Sequence, residues 1–150
     1  RSFLESLLMK VEDEERLYVH SDASAPTRWL YIGDEESAER SLQATRQRIT
    51  FCGHIHIPQL YHMTPTKPAK FFAPKPGAPI PLVGQRQWLA VQGSVGQPRD
   101  KNPSAAYSIL DTTKNELTYW RVPYDIEEAA RKIHAAELPR ILAARLFIGK

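Results

Sequence analysis

Residues 50–61 read TFCGHIHIPQLY, and they place two of the chain's five histidines one residue apart, directly after a glycine. The residues before them, Ile49 to Cys52, are β-branched and aromatic, which predicts a buried strand. In an extended segment alternate side chains point the same way, roughly 6.6–6.8 Å apart at Cα. His54 and His56 could then share one metal ion, or serve one ion each of a close pair. Gly53 allows a backbone turn that a side chain would block, and Pro58 stiffens the exit. The bland alternative is two idle histidines on a surface strand. Position favours the metal reading, because α/β sheets carry their chemistry beyond the carboxyl ends of strands. His20 sits in the same kind of place, after the strand candidate RLYV, Arg16–Val19.

Working outward, Phe3, Leu4, Leu7 and Leu8 have helical spacing, so Ser2–Lys10 is expected to be a helix with one buried stripe. VEDEE reads as an acidic turn and residues 21–29 as loop. Residues 34–48 read as a second helix, with Asp34 as N-cap, Glu35 and Glu36 in the first turn, and Arg46 and Arg48 near the end. Helix, strand, helix, strand suits an α/β layer. Thr64 to Pro81 then holds six of the twelve prolines, three lysines and no acid. It is either a linker or an ordered surface excursion pinned by Phe71 and Phe72, and the adjacent aromatics favour the second. QWLAV, AAYSILD and ELTYWRV are strand candidates, the last two joined by the hairpin turn TTKN. Asp125 and Glu128 cap a helix. Leu138, Ile141, Leu142 and Leu146 mark a final amphipathic helix, stopped by Gly149.

Length and composition set the frame. The 150 residues, 42% hydrophobic and 25% charged, are read as one domain, 1–150, with a real core. The net charge of +3 is spread among 17 acidic residues, which argues against a nucleic-acid partner. No apolar run approaches the ~20 residues needed to span a membrane. The single cysteine, Cys52, permits no internal disulfide and suggests a reducing, cytoplasmic setting. The chain opens at Arg1 without a Met and is expected to be part of something longer. A deaminase-type zinc site would need CxxC, and a serine hydrolase would need GxSxG; neither motif is present.

Taken together, the motifs resemble a known family. CGHIHIPQ resembles the closing GH-x-H motif of the calcineurin-like metallophosphoesterases, and LYVHSD is similar to the strand-plus-histidine motif that precedes it. GSVGQPRDKNPSAAYSILD looks like the segment that follows, and RVPYDIEEAARKIHAAELPRILAARL like the ending of bacterial members. The family's Asp-x-His, bridging Gly-Asp and Gly-Asn-His are absent in family order, since Gly33-Asp34 follows His20 and reads as a helix cap. Where the family often has Asn-Pro before Gly-Ser, this chain has Val91-Gln92.

The resemblance implies the C-terminal half of a four-layer α/β/β/α sandwich and a two-metal hydrolase. His20 and His54 would ligate one divalent ion and His56 the other, with Mn, Fe, Zn, Ni or Mg as the candidates. The expected substrate is a phosphomonoester, phosphodiester, nucleotide polyphosphate or phosphoprotein. Gly93, Ser94 and Arg99 are candidate substrate-binding residues. The alternatives are a φ > 0 strand connection at the glycines and an Arg99–Asp100 salt bridge. His62, His134 and Asp111 read as non-functional, and Cys52 as a packed thiol. Without a bridging carboxylate the chain alone is expected to be inactive or weakly active, to need its N-terminal half or another chain, and to self-associate through an exposed edge. The rival reading is a non-catalytic interaction module whose histidines are vestigial or hold a single ion.

Overall fold

The computed structural model describes residues 2–150. In chain order the elements are α1 (Ser2–Glu5), β1 (Lys10–Asp13), β2 (Arg16–Val19), α2 (Glu35–Gln43), β3 (Ile49–Cys52), β4 (Gln59–Thr64), β5 (Lys67–Phe72), β6 (Ile80–Pro81), β7 (Gln87–Val91), β8 (Ala105–Asp111), β9 (Glu116–Val122), α3 (Ile126–Ala135) and α4 (Arg140–Ile148). They fall into two compact units, one of residues 2–55, 59–73 and 82–91, the other of 56–58, 74–81 and 92–150.

The first unit holds a six-stranded sheet of order β1-β2-β3-β7-β4-β5. Its middle is parallel: β2 pairs with β3 and β3 with β7. These inner strands carry the apolar runs, and Leu17, Val19, Ile49, Cys52, Trp88, Leu89, Ala90 and Val91 are all buried, as expected for strands covered on both faces. The connection from β2 to β3 carries α2. Asp34 starts that helix as the sequence implies: its Oδ1 accepts from Ser37 N at 2.8 Å while Ser37 Oγ accepts from Asp34 N at 3.2 Å. Ala38, Ser41 and Leu42 form its buried stripe. Leu42 and Ala38 join Leu17, Val19, Ile32, Tyr61, Ala69 and Leu89 in one apolar cluster.

The amino end departs from expectation. Only Ser2–Glu5 is helical, and the acidic stretch supplies strand β1, paired antiparallel with β2 through Val11 and Tyr18. Phe3 and Leu8 are 71% and 75% exposed, so no buried stripe exists. Apolar spacing holds a short helix only when another surface covers the stripe. The Pro/Lys-rich segment is ordered; Phe71 sets its ring against the buried Tyr61 with centres 5.5 Å apart, although both phenylalanines remain nearly half exposed. Strand β5 lies at the sheet edge, where Pro68 is tolerated. Two carboxylates of α2 cap that edge: Glu39 accepts from Ala69 N at 3.1 Å and Glu35 from Phe71 N at 3.0 Å.

The loop after β2 is tied to α2 by a buried charge. Asp22 is fully buried, and its Oδ2 accepts from Arg40 Nε at 2.9 Å and Nη2 at 2.8 Å. Its Oδ1 accepts from Ser24 N at 2.8 Å, and Ala23 N donates to Ser41 Oγ at 3.0 Å. Asp22 N also donates to Leu30 O at 3.3 Å, so the loop's two sides are tied to each other as well as to the helix.

The second unit holds the antiparallel sheet β6-β9-β8 with α3 and α4. The β8–β9 hairpin is the expected one, and Asp111 closes its turn by accepting from Thr113 N and Lys114 N. Asp125 Oδ1 caps α3 by accepting from Glu128 N at 2.8 Å. Gly149 ends α4 with φ 59°, in the left-handed region. Ala143 and Leu146 are the buried residues of α4, whereas Leu138 and Ile141 face solvent. Among the described residues no helix is long and apolar enough to cross a membrane.

Three outcomes test this account. A Cβ on Gly93 would lie 2.4 Å from Ala106 Cβ and 2.9 Å from Pro58 Cγ; Gly93→Ala should therefore cost about 1–3 kcal/mol in urea denaturation, and an unchanged midpoint would refute the contact. Arg40→Leu leaves a buried carboxylate uncompensated. A fully buried pair would cost about 3–5 kcal/mol, but the Arg40 side chain is 46% exposed, so a loss of about 2–3 kcal/mol is expected, partly restored by adding Asp22→Asn. The third concerns pH. Hydrogen bonds hold three carboxyls below their ordinary values: Arg48 on Glu15, Ser37 on Asp34 and Arg131 on Glu128. Lowered folded values mean that this stability is present above the unfolded pKa, near 4.5 for Glu and 3.8 for Asp, and is lost as pH falls through the folded values. Thermal midpoints should drop between pH 6 and pH 3; equal midpoints would contradict the sign.

Candidate metal centre

Parallel pairing decides where the first two histidines meet. The β2–β3 register sets Tyr18 opposite Phe51, so the two strands run out together and His20 leaves beside Gly53. Gly53 N donates to His20 O at 3.0 Å. Beyond it the chain does not stay extended. Ile55 N donates to Gly53 O at 2.8 Å, closing a three-residue turn about His54, whose φ is 67°. His56 also has positive φ, at 63°. The expectation of a strand with alternating side chains is therefore corrected. The residues in the left-handed region are the histidines and not Gly53, at which a Cβ would meet only His20 O at 3.9 Å. A left-handed backbone at a side-chain-bearing residue costs roughly 1–2 kcal/mol, and such strain gathers at functional sites.

The turn swings the His54 ring onto that of His20. His20 Nε2 and His54 Nδ1 lie 3.1 Å apart, and the ring centres 5.0 Å apart. Two aromatic residues of the β2–α2 loop crowd the pair. Tyr31 stacks on His54 with centres 4.4 Å apart and planes 16° apart. Trp29 lies 5.0 Å from the His20 ring and 5.7 Å from that of His54. Sequence reading passed over Asp22 and Trp29, which fall in the stretch 21–29 read as loop, and Tyr31, which lies just beyond it. The one available signal was two large aromatics spaced i, i+2 between histidine-bearing strands.

His56 belongs to the second unit, and its partners there are local. Its Nδ1 lies 2.8 Å from Gln97 O. A carbonyl can only accept, so Nδ1 carries the proton and the neutral ring keeps its lone pair on Nε2. Arg99 N donates to His56 O at 3.2 Å. Gln97 also gathers the other sequence candidates: Ser94 Oγ accepts from Gln97 N at 2.8 Å, and Arg99 Nε and Nη2 donate to Gln97 Oε1 at 3.1 and 2.9 Å. The alternative Arg99–Asp100 bridge is not formed, because Asp100 pairs with Arg121. Neither Gly93 nor Gly96 has positive φ. The φ > 0 reading therefore fails, and Gly93 is needed for its close approach to Ala106 and Pro58.

Among the described residues no group of three or more His, Cys, Asp or Glu side chains is arranged to hold an ion. Of the remaining candidates, His134 lies exposed on α3. His62 lies on β4 with its ring 5.2 Å from that of Trp88. Cys52 is buried, and burial, with the charge of Asp22, pushes its thiol up to about 12.

Comparisons with known proteins place the fold. No family model matches the sequence. The uncharacterized protein MJ0912 of Methanocaldococcus jannaschii is 30% identical over 152 residues, which cover 99% of this chain and 59% of that protein. The crystal structure of a metallophosphoesterase from Sphaerobacter thermophilus superposes with a TM-score of 0.88 at 29% identity, over 99% of this chain and 62% of that one. The hypothetical protein PH1004 from Pyrococcus horikoshii OT3 gives 0.71 at 13% identity, over 99% and 54%, a likeness of fold. The chain thus spans about three-fifths of the length of the relatives it matches. The resemblance carried by the GHIH motif is one of three-dimensional structure too: over the length it spans, this chain is folded as a calcineurin-like metallophosphoesterase.

Proposed function

We propose that this chain is the histidine-bearing part of a two-metal phosphoesterase that hydrolyses a phosphomonoester, a phosphodiester or a nucleotide polyphosphate, free or on a protein. The observation that carries the reading is the 3.1 Å between His20 Nε2 and His54 Nδ1 at the carboxyl ends of adjacent parallel strands. With metal–nitrogen bonds of about 2.0–2.1 Å, two ligands on one ion stand roughly 2.9–3.4 Å apart for angles between octahedral and tetrahedral, so the pair fits one divalent cation. His56 would serve the other ion. Its Nδ1–H···O=C bond to Gln97 is the outer support that ligating histidines commonly have, fixing tautomer and ring direction.

When bound, two divalent ions lower the pKa of a water and offset charge on a phosphoryl group. The chain's own part is to hold the imidazoles oriented. The tight turn at His54 and the stacked Tyr31 ring fix one, and the Gln97 carbonyl fixes another. The three histidines bring no negative charge, and the family's bridging aspartate and asparagine have no counterparts in order along these 150 residues. Full activity therefore draws on further residues, from an N-terminal portion or another chain, and the metal site here is incomplete. A single, buried cysteine with no disulfide partner in these 150 residues is compatible with a reducing cytoplasmic setting.

The test begins with metal binding. His54→Asn keeps a residue that accepts a left-handed backbone but removes the imidazole. It should weaken Mn²⁺ binding by calorimetry by at least about 100-fold, beyond the range of lost outer support, with the circular dichroism unchanged. In the complete protein the same change should abolish Mn²⁺-dependent hydrolysis of bis(p-nitrophenyl) phosphate, while the 150 residues alone should turn it over slowly or not at all. Wild-type affinity in the variant would overturn the ligand assignment.

A further inference from the structure

We propose that Trp29 and Tyr31 form a ring-stacking subsite beside the His20–His54 pair, so that the preferred phosphoester carries a flat aromatic group such as a nucleobase. The inference rests on the phosphoesterase reading and narrows its substrate class. Both rings belong to the site by geometry: Tyr31 lies parallel to His54 at 4.4 Å, and Trp29 tilts against His20 and His54 at 5.0 and 5.7 Å. Yet neither is packed away. Trp29 is 50% and Tyr31 54% exposed, so each offers a large part of its ring to solvent while another part meets an imidazole. Burying such a surface against a second ring is favourable and tolerant of the partner's identity.

Their presentation is built into the loop. Trp29 follows a short 3-10 turn, Pro26–Arg28, and takes a left-handed backbone at φ 54°, an uncommon state for a bulky residue. The bond from Asp22 N to Leu30 O, with Asp22 itself buried against Arg40, anchors the residue between the two rings. The aromatic pair is thus held from behind and open in front. A phosphoryl group bound next to the His20–His54 pair would place its ester substituent beside the two rings that touch that pair. An alkyl or sugar substituent would cover part of this surface; a planar heterocycle would cover it face to face.

The probes are AMP and ribose 5-phosphate, which share phosphate and sugar and differ in the ring. Binding to the chain is followed by calorimetry and tryptophan fluorescence, first in EDTA and then with Mn²⁺. AMP should bind more tightly than ribose 5-phosphate by on the order of tenfold and quench emission. Trp29→Ala and Tyr31→Ala should each shrink that ratio towards one; Trp29→Phe should keep most of it, and Trp120→Phe should leave the quench in place. Equal affinities, no measurable binding of either probe, or a ring preference that survives both alanine variants would overturn the subsite. The phosphoesterase reading fails separately: ring preference without any Mn²⁺ binding would sink that reading and leave the subsite standing. Mn²⁺ binding and hydrolysis without ring preference would do the reverse.

Discussion

Parallel pairing of β2 with β3 is the constraint from which the rest of the site follows. Two strands running side by side in one direction end side by side, and whatever follows each is delivered to the same rim. Here those residues are His20 and Gly53-His54. The bond from Gly53 N to His20 O carries the ladder one step beyond the regular strands. A slip of one residue would turn side chains to the opposite face, and the two imidazoles would part. The register in turn is held by burial, because Leu17, Val19, Ile49 and Cys52 cannot face water at little cost.

Much of this was legible in residues 49–56. The β-branched run announced a strand, and the two histidines after it drew attention to the strand's carboxyl end, although the ring that meets His54 is that of His20 and not of His56. What the sequence concealed was the backbone between them. Glycine is the usual choice for a left-handed turn, so Gly53 looked like the pivot, whereas His54 and His56 take the positive φ values themselves. Local propensity cannot foresee that choice, since it depends on where tertiary contacts pull each ring: His54 towards His20 and Tyr31, His56 towards Gln97 O.

The amino-terminal misreading has a different cause. Phe3, Leu4, Leu7 and Leu8 satisfy a helical period, but periodicity states only what a segment would bury if a covering surface were there. Those side chains stand in solvent in this chain. The proline-rich stretch was read in part. Its composition suggested an excursion held by aromatics, and Phe71 does meet Tyr61, but the stretch is also a strand paired with β4 whose edge is capped by carboxylates of α2 accepting its backbone N–H groups. Glu35 and Glu39 could equally have been surface charges, and nothing in their spacing distinguishes an edge cap from a solvated face.

The sealed thiol of Cys52 has a practical corollary. Maleimides and iodoacetamide attack thiolate, and a sulfur that is enclosed and held near 12 supplies almost none at neutral pH. Cys52 should therefore react with such reagents far more slowly than an exposed thiol. A single cysteine engineered at an exposed position, for instance in the loop that bears Trp29, would take up a fluorophore or spin label selectively, with no need to disturb the β3 core by replacing the native one.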